Sequence, residues 1–336
     1  MENVEKKVRS GERLSREDGL TLYASDDLAR LGGLAHEVRT LKNGEAAHFA
    51  VRRRVEIPDA SALDEAVGRA TRGAAAGATE LHLRFGAGLP WEECVRALRT
   101  LRAALPEAVA LHAFTAAGVR RLAALAGTDE SEILDELAAA GPASLLAEDA
   151  EESGDGDGPG AGWEDWARVH RLAHRKGLTT SCTLPYGHTE DVADRVDHLL
   201  RLRQLQDETG GFRILLPLRR PGARGATGAE VLATFAVARL LLDNVPHLAV
   251  DWALHGAQTA QLALQHGADE MAGQVVEDGQ EPDGERDEAA LTREDLVDLI
   301  RDAGLRPVER DARYGALRTY EGPDPERRES PQPMRV

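Results

Sequence analysis

The chain has 336 residues, enough for one large domain or two medium ones. Apolar residues make up 42% and charged residues 29%, a balance that supports a packed core in a soluble globular protein. The net charge of −17 argues against nucleic acid or an anionic membrane as a main partner, because both call for basic patches. Two cysteines, Cys94 and Cys182, exclude a disulfide framework and any site that needs three or more thiolates. The N-terminus carries no signal-peptide apolar stretch, and the longest apolar run, 231–242, is interrupted by Arg239 and too short to span a bilayer. A reducing cytoplasm is the expected location.

In chain order, residues 1–45 read as a helical extension. Ser15-Arg16-Glu17-Asp18 has capping-box spacing, and Ser25-Asp26-Asp27 can start a further helix. Leu28, Leu31, Leu34, Ala35 and Val38 then share one helical face, and Asn43-Gly44 stops it. From 46 to 314 the pattern alternates. Strands are expected at 47–57, 79–84, 108–113, 178–184, 212–218 and 248–252, with a short one near 143–146. Helices are expected between them, at 59–73, 90–105, 116–126, 129–140, 163–176, 190–209, 227–243 and 256–266, with a last one at 293–303. Alternation without hairpin signals implies parallel strands with helical crossovers. The fold class expected is α/β, a partial (βα) TIM-type barrel, with an open doubly wound sheet as the alternative. Two acidic, Gly-rich segments, 148–162 and 277–288, read as solvated loops. Residues 315–336, dominated by proline and charge from Glu321 onward, read as a disordered tail.

Neighbouring side chains on a strand face opposite ways. In Glu80-Leu81-His82-Leu83-Arg84 the leucines belong against helices, so Glu80, His82 and Arg84 are expected inside the barrel. The same logic sends His112 and Asp251 inward, towards the C-terminal strand ends where barrel active sites sit. Such groups form a site, or a satisfied structural network. Tyr186-Gly187-His188-Thr189 follows a strand and precedes a helix; it offers ligand contacts or turn chemistry, with Thr189 as a candidate helix cap. The catalytic candidates are thus Glu80, His82, His112, Tyr186 and His188, as acid–base or orienting groups. His82, His112, His188 and Asp251 offer imidazole–carboxylate ligands at strand ends or the turns after them, but no short ligand motif supports a metal there, and none is expected. His170 and His174 share a helix face that is expected to be solvated. Arg52-Arg53-Arg54 reads as a surface run at a strand end, or as a lumen-mouth partner for a carboxylate. Gly86-Ala87-Gly88 can bring backbone amides to an anionic ligand. Neither a Walker loop nor a serine-hydrolase elbow is present.

Several stretches resemble one family. The segments beginning at Ser10 (Ser-Gly-Glu-Arg-Leu-Ser-Arg-Glu-Asp-Gly-Leu) and Asp27 (Asp-Leu-Ala-Arg-Leu-Gly-Gly-Leu-Ala-His) resemble aminofutalosine synthases and their radical S-adenosylmethionine relatives. So do His112-Ala113-Phe114-Thr115-Ala116, Tyr186-Gly187-His188, Arg195-Val196-Asp197-His198-Leu199-Leu200 and Pro307-Val308-Glu309-Arg310. The resemblance reaches to about residue 314. It implies a partial (βα) barrel that joins an enolpyruvyl-type benzoate to an adenosyl radical on the futalosine route to menaquinone. It also implies a [4Fe–4S] cluster on a Cys-x-x-x-Cys-x-x-Cys loop after the first strand, whose fourth iron holds S-adenosylmethionine. Here the first strand runs into Val55-Glu56-Ile57-Pro58-Asp59-Ala60 with no cysteine. Gly86 and Gly88 stand where a degenerate S-adenosylmethionine loop would lie, and Arg84 replaces an apolar residue. The expectations are therefore a catalytically inactive binding or auxiliary protein with no cofactor, holding a nucleoside or benzoate-type ligand or pairing with an intact homologue. The alternatives are a cluster-independent or residual enzyme of menaquinone biosynthesis, and a decaying copy without function.

Overall fold

The computed structural model describes residues 1–142, 144–147, 162–187, 190–220, 226–276 and 291–321. Three helices come first: α1 (Glu2–Ser10), α2 (Arg16–Tyr23) and α3 (Leu28–Asn43). Ser15 and Asp18 form the expected capping box of α2, and Asp27 caps α3 through the Arg30 amide. These helices do not stand apart as an appendage. α2 packs on α9 (Val192–Thr209) and α3 on α10 (Gly228–Leu241), two outer helices of the barrel. Gly19 lets α2 approach closely, since a Cβ there would meet Leu241 Cδ1 at 2.9 Å.

The barrel follows in βα units. They are β1 (Ala46–Phe49) and β2 (Arg52–Ile57), α4 (Leu63–Ala75), β3 (Glu80–Phe85), α5 (Trp91–Ala104), β4 (Ala110–Ala113), α6 (Ala116–Ala126), α7 (Glu130–Ala140), α8 (Trp163–Arg175), β5 (Thr180–Tyr186), α9, β6 (Phe212–Arg219), α10, β7 (His247–Asp251), α11 (Trp252–His255), α12 (Ala257–Leu264) and β8 (Glu270–Ala272). The chain then adds β9 (Val275–Val276), β10 (Leu291–Thr292), α13 (Arg293–Asp302), β11 (Arg306–Arg310) and β12 (Ala316–Thr319).

The single strand expected at 47–57 is two, and the break has a consequence. β1 pairs with β8 on one side and β11 on the other, whereas β2 pairs with β3. Parallel pairing then runs β3 to β4, through isolated bridges at Ser144 to β5, and on through β6 and β7 back to β8. This is the expected (βα) barrel, with the weakest ladder at Ser144. Apolar side chains of the strands' outer faces and the helices form one continuous core.

Further elements depart from the sequence expectation. β8 has only three residues, too few to show alternation. β11 lies parallel beside β1 and carries an antiparallel partner, β12, so the tail expected from residue 315 is paired strand as far as Thr319. The cap of α9 is Asp191, in a capping box with Asp194. Thr189, His188, nearly all of the acidic segment 148–162 and the segment 277–288 lie outside the described residues. Among the described residues, no helix is long and apolar enough to cross a membrane.

Candidate functional site

The register of β2, β3 and β4 builds a polar wall. Arg52 pairs with Glu80 and that with Ala110; Arg54 pairs with His82 and that with His112; Glu56 pairs with Arg84. Residues side by side in a parallel ladder point to the same face. Val55, Ile57, Leu81 and Leu83 take the opposite face and are buried in the core. Arg53 also faces outward, against Gly73 of α4. The arginine run is therefore split by alternation, with Arg52 and Arg54 in the lumen. That corrects the preference for a surface run.

Exposure rises along this wall towards the C-terminal strand ends. The side chain of Glu80 is 3% exposed, His82 25%, Arg54 34% and Glu56 52%. The lumen thus opens at the end where barrel enzymes bind ligands. Three arginines stand beside two glutamates on this wall, a local positive excess in a chain of net charge −17.

The floor, at the N-terminal strand ends, is different. Glu80 opens β3 and donates nothing to the mouth, contrary to the expectation that it points there. Its Oε1 accepts from Arg310 at 2.6 Å, and Arg310 also donates to both oxygens of Glu270, at 2.8 and 2.5 Å. Tyr314, in the left-handed region at φ 65°, lays its ring under the Arg310 guanidinium and donates to Glu270 at 2.6 Å. Burial opposes the Glu80 charge, but Arg310, His82, His112 and Arg52 hold its carboxyl well below the usual range. Burial also pushes His82 well down and His112 down, with Arg52 adding to both.

A second floor cluster is centred on Asp269. Its oxygens accept from Arg239, the Leu248 amide at 2.8 Å and His247 Nδ1 at 2.6 Å, with His48 nearby. Against burial, Arg239 and then the two histidines hold its carboxyl far below the usual range. The His247 ring stacks on Tyr314 with centroids 3.4 Å apart, which joins the two clusters. Sequence reading missed Arg310, Glu270, Tyr314 and Asp269. The usable signal was the polar pair Asp269-Glu270 beside an apolar Met271-Ala272, in a segment too short for periodicity.

The remaining candidates separate. Tyr186 is fully buried at the end of β5, and its hydroxyl bonds His255 Nε2 at 2.8 Å; burial raises its pKa, so it stays protonated. His188 lies outside the described residues. Asp251 caps α11 through the Ala253 amide at 2.8 Å and is not gathered with His82 and His112. Gly86 has a packing role, since a Cβ there would sit 1.9 Å from the Pro58 carbonyl oxygen, whereas Gly88 has open space around it. His170 and His174 are not on a solvated face. Both bond the Thr180 hydroxyl at 2.8 Å in the α8–β5 seam, because Trp166, His170 and His174 share the inward side of α8.

Residues 213–322 match the family model described as the CofH/MqnC C-terminal region. The chain is 52% identical over 381 positions to aminodeoxyfutalosine synthase of Streptomyces coelicolor, covering 99% of this chain and 98% of that protein. It is 33% identical to aminodeoxyfutalosine synthase of Thermus thermophilus, covering 95% and 96%. The first match is longer than the 336 residues here, so that relative carries segments without a counterpart in this chain. Among solved structures, methylornithine synthase (PylB) superposes with a TM-score of 0.67 at 16% identity, over 91% of this chain and 97% of that one. HydG, a maturase of the [FeFe]-hydrogenase, gives 0.69 at 13%, over 93% and 76%. These last two support the fold alone.

The likenesses correct one expectation. Aminodeoxyfutalosine synthase is a radical S-adenosylmethionine enzyme that uses a [4Fe–4S] cluster, so the expectation of no cofactor does not stand for this lineage. The thiols of this chain do not fit a cluster held by three local thiolates. Cys94 is buried in α5, where burial pushes its thiol up to about 12, and Cys182 is buried in β5, with its thiol towards the Ile214 carbonyl at 3.5 Å.

Proposed function

The chain belongs to the aminodeoxyfutalosine synthase family, and on that premise we propose that it serves the menaquinone route as a ligand-binding or auxiliary member. Its ligand is an anionic small molecule of that route, a benzoate-type carboxylate or a nucleoside, held on the β2–β3–β4 wall. The observation that carries this reading is the rise in exposure from Glu80 to Glu56, which leaves Arg54 and Arg84 at an open mouth. Guanidinium groups at a partly desolvated mouth suit a carboxylate, because two parallel N–H donors match its two oxygens.

A second reading, the family's own transfer reaction, is favoured by the 52% identity. One experiment separates the two. The full chain is reconstituted anaerobically with iron and sulfide and given S-adenosylmethionine, a strong reductant and the enolpyruvyl benzoate. The binding reading predicts no 5′-deoxyadenosine above the level of iron and sulfide alone, with ligand heats retained in calorimetry. Stoichiometric release of 5′-deoxyadenosine would replace it with the second reading. Pull-down of an intact family member tests the auxiliary role, and a clean negative at micromolar concentration removes that part.

A further inference from the structure

Where the floor meets the wall, Glu80, His82 and His112 come together. His112 Nε2 is shielded from solvent and has no hydrogen-bond partner among the described residues. A buried polar nitrogen left in that state is costly unless something fills it. His82, its neighbour in register, directs Nε2 at Glu80 Oε2 across 3.7 Å, beyond hydrogen-bonding length. Glu80 Oε1 accepts from Arg310 at 2.6 Å, and Oε2 accepts from Arg52 Nε and Nη2, both at 3.4 Å, the long end of the range.

One carboxylate oxygen and two imidazole nitrogens therefore lie within 4.8 Å of one another. Ligand atoms on a tetrahedral zinc, each ~2.0–2.2 Å from the metal, stand roughly 3.3–3.6 Å apart. The 3.7 Å between His82 Nε2 and Glu80 Oε2 is close to that spacing, and the remaining pairs lie within 4.8 Å. The other cluster of ligating type, His48–His247–Asp269, lacks this property. There the carboxylate oxygens are consumed by Arg239, His247 Nδ1 at 2.6 Å and a backbone amide.

We infer that Glu80, His82 and His112 form a site for one divalent cation of the zinc type. Arg310 holds the carboxylate by its other oxygen and fixes its orientation, the role outer-shell partners play around metal ligands. Glu270 balances the Arg310 charge. Two imidazoles and one carboxylate leave a fourth position, and Arg52 beside the site complements an anion there. The site is independent of the ligand reading above: metal retention can fail with nucleoside heats intact, and the reverse.

The test uses the full-length chain, freed of metal by chelation and dialysed against zinc chloride, with a parallel titration by cobalt(II) followed in the visible. One zinc per chain is retained, and cobalt gives the intense visible bands of a tetrahedral site. His82→Ala and His112→Ala each weaken zinc binding by ~100-fold or more, above the loss typical for an outer-shell partner. His266→Ala, at a helix end outside the lumen, leaves it unchanged. Sub-stoichiometric zinc, a cobalt spectrum equal to that of the aqueous ion, or zinc binding insensitive to both lumen substitutions overturns the inference. The cobalt spectrum is read on the unsubstituted chain, so a variant that fails to fold does not leave the question open.

Discussion

The floor and the wall of the barrel are built from the same residue types and behave differently. On the floor each charge is surrounded: Asp269 accepts from two side chains and a backbone amide, and Arg310 is shared by two carboxylates. On the wall, pairs are long and exposure grows from strand to strand end, as in the 3.6 Å contact between Arg54 and Glu56. A saturated polar cluster holds the fold, because removing any partner strands a buried charge. An unsaturated one has capacity left for something from outside. The same lumen therefore contains a structural half and a receptive half, and residue type alone does not tell them apart.

The sharpest way to break the comparison is on the floor. Asp269→Ala leaves Arg239, 2% exposed, without its carboxylate and should cost ~3–5 kcal/mol or prevent folding, read by denaturant melts. A loss below about 1 kcal/mol would mean the floor is no more structural than the wall.

Acid should come next. His174 and His198 are held neutral by burial, down to about 4 from 6.5. Their folded pKa lies below the unfolded one, so the unfolded chain binds more protons between those values. Stability is complete above about 6.5 and falls as pH drops towards 4, on the order of 2 kcal/mol or more for the pair. A urea midpoint that is flat from roughly pH 7 to 5 would contradict this burial.

Tyr186→Phe should cost ~1–3 kcal/mol, since it strips His255 Nε2 of its partner in a buried pair. Arg54→Ala on the open wall should cost less than ~0.5 kcal/mol, which sharpens the contrast with Asp269. The N-terminal extension should also move stability little. Arg13 is half-exposed and bridges Asp207 and Asp243, so Arg13→Ala should change stability by about 1 kcal/mol at most.

The barrel itself was legible in the sequence, because period-2 and period-3.6 patterns alternate over long elements such as β3 and α9. The inward aim of Glu80, His82 and His112 was legible for the same reason. Their height in the barrel was not. Alternation gives a face and says nothing of depth, so Glu80 was placed near the mouth although it begins its strand. The partners of Glu80 were hidden further, because Arg310 comes from a strand 230 residues away that pairs with β1. The error over His170 and His174 had another cause. A histidine that bonds a threonine across a helix–strand seam has the same sequence pattern as one facing water.

Calorimetry of the full chain with a benzoate-type carboxylate and a futalosine-type nucleoside, repeated on Arg54→Ala, addresses the open wall most directly. Saturable binding of at least one of them, weakened ~10-fold or more by the substitution while the melting curve stays in place, is the result the wall predicts. Absence of heat from both ligands, or binding indifferent to Arg54, would contradict it.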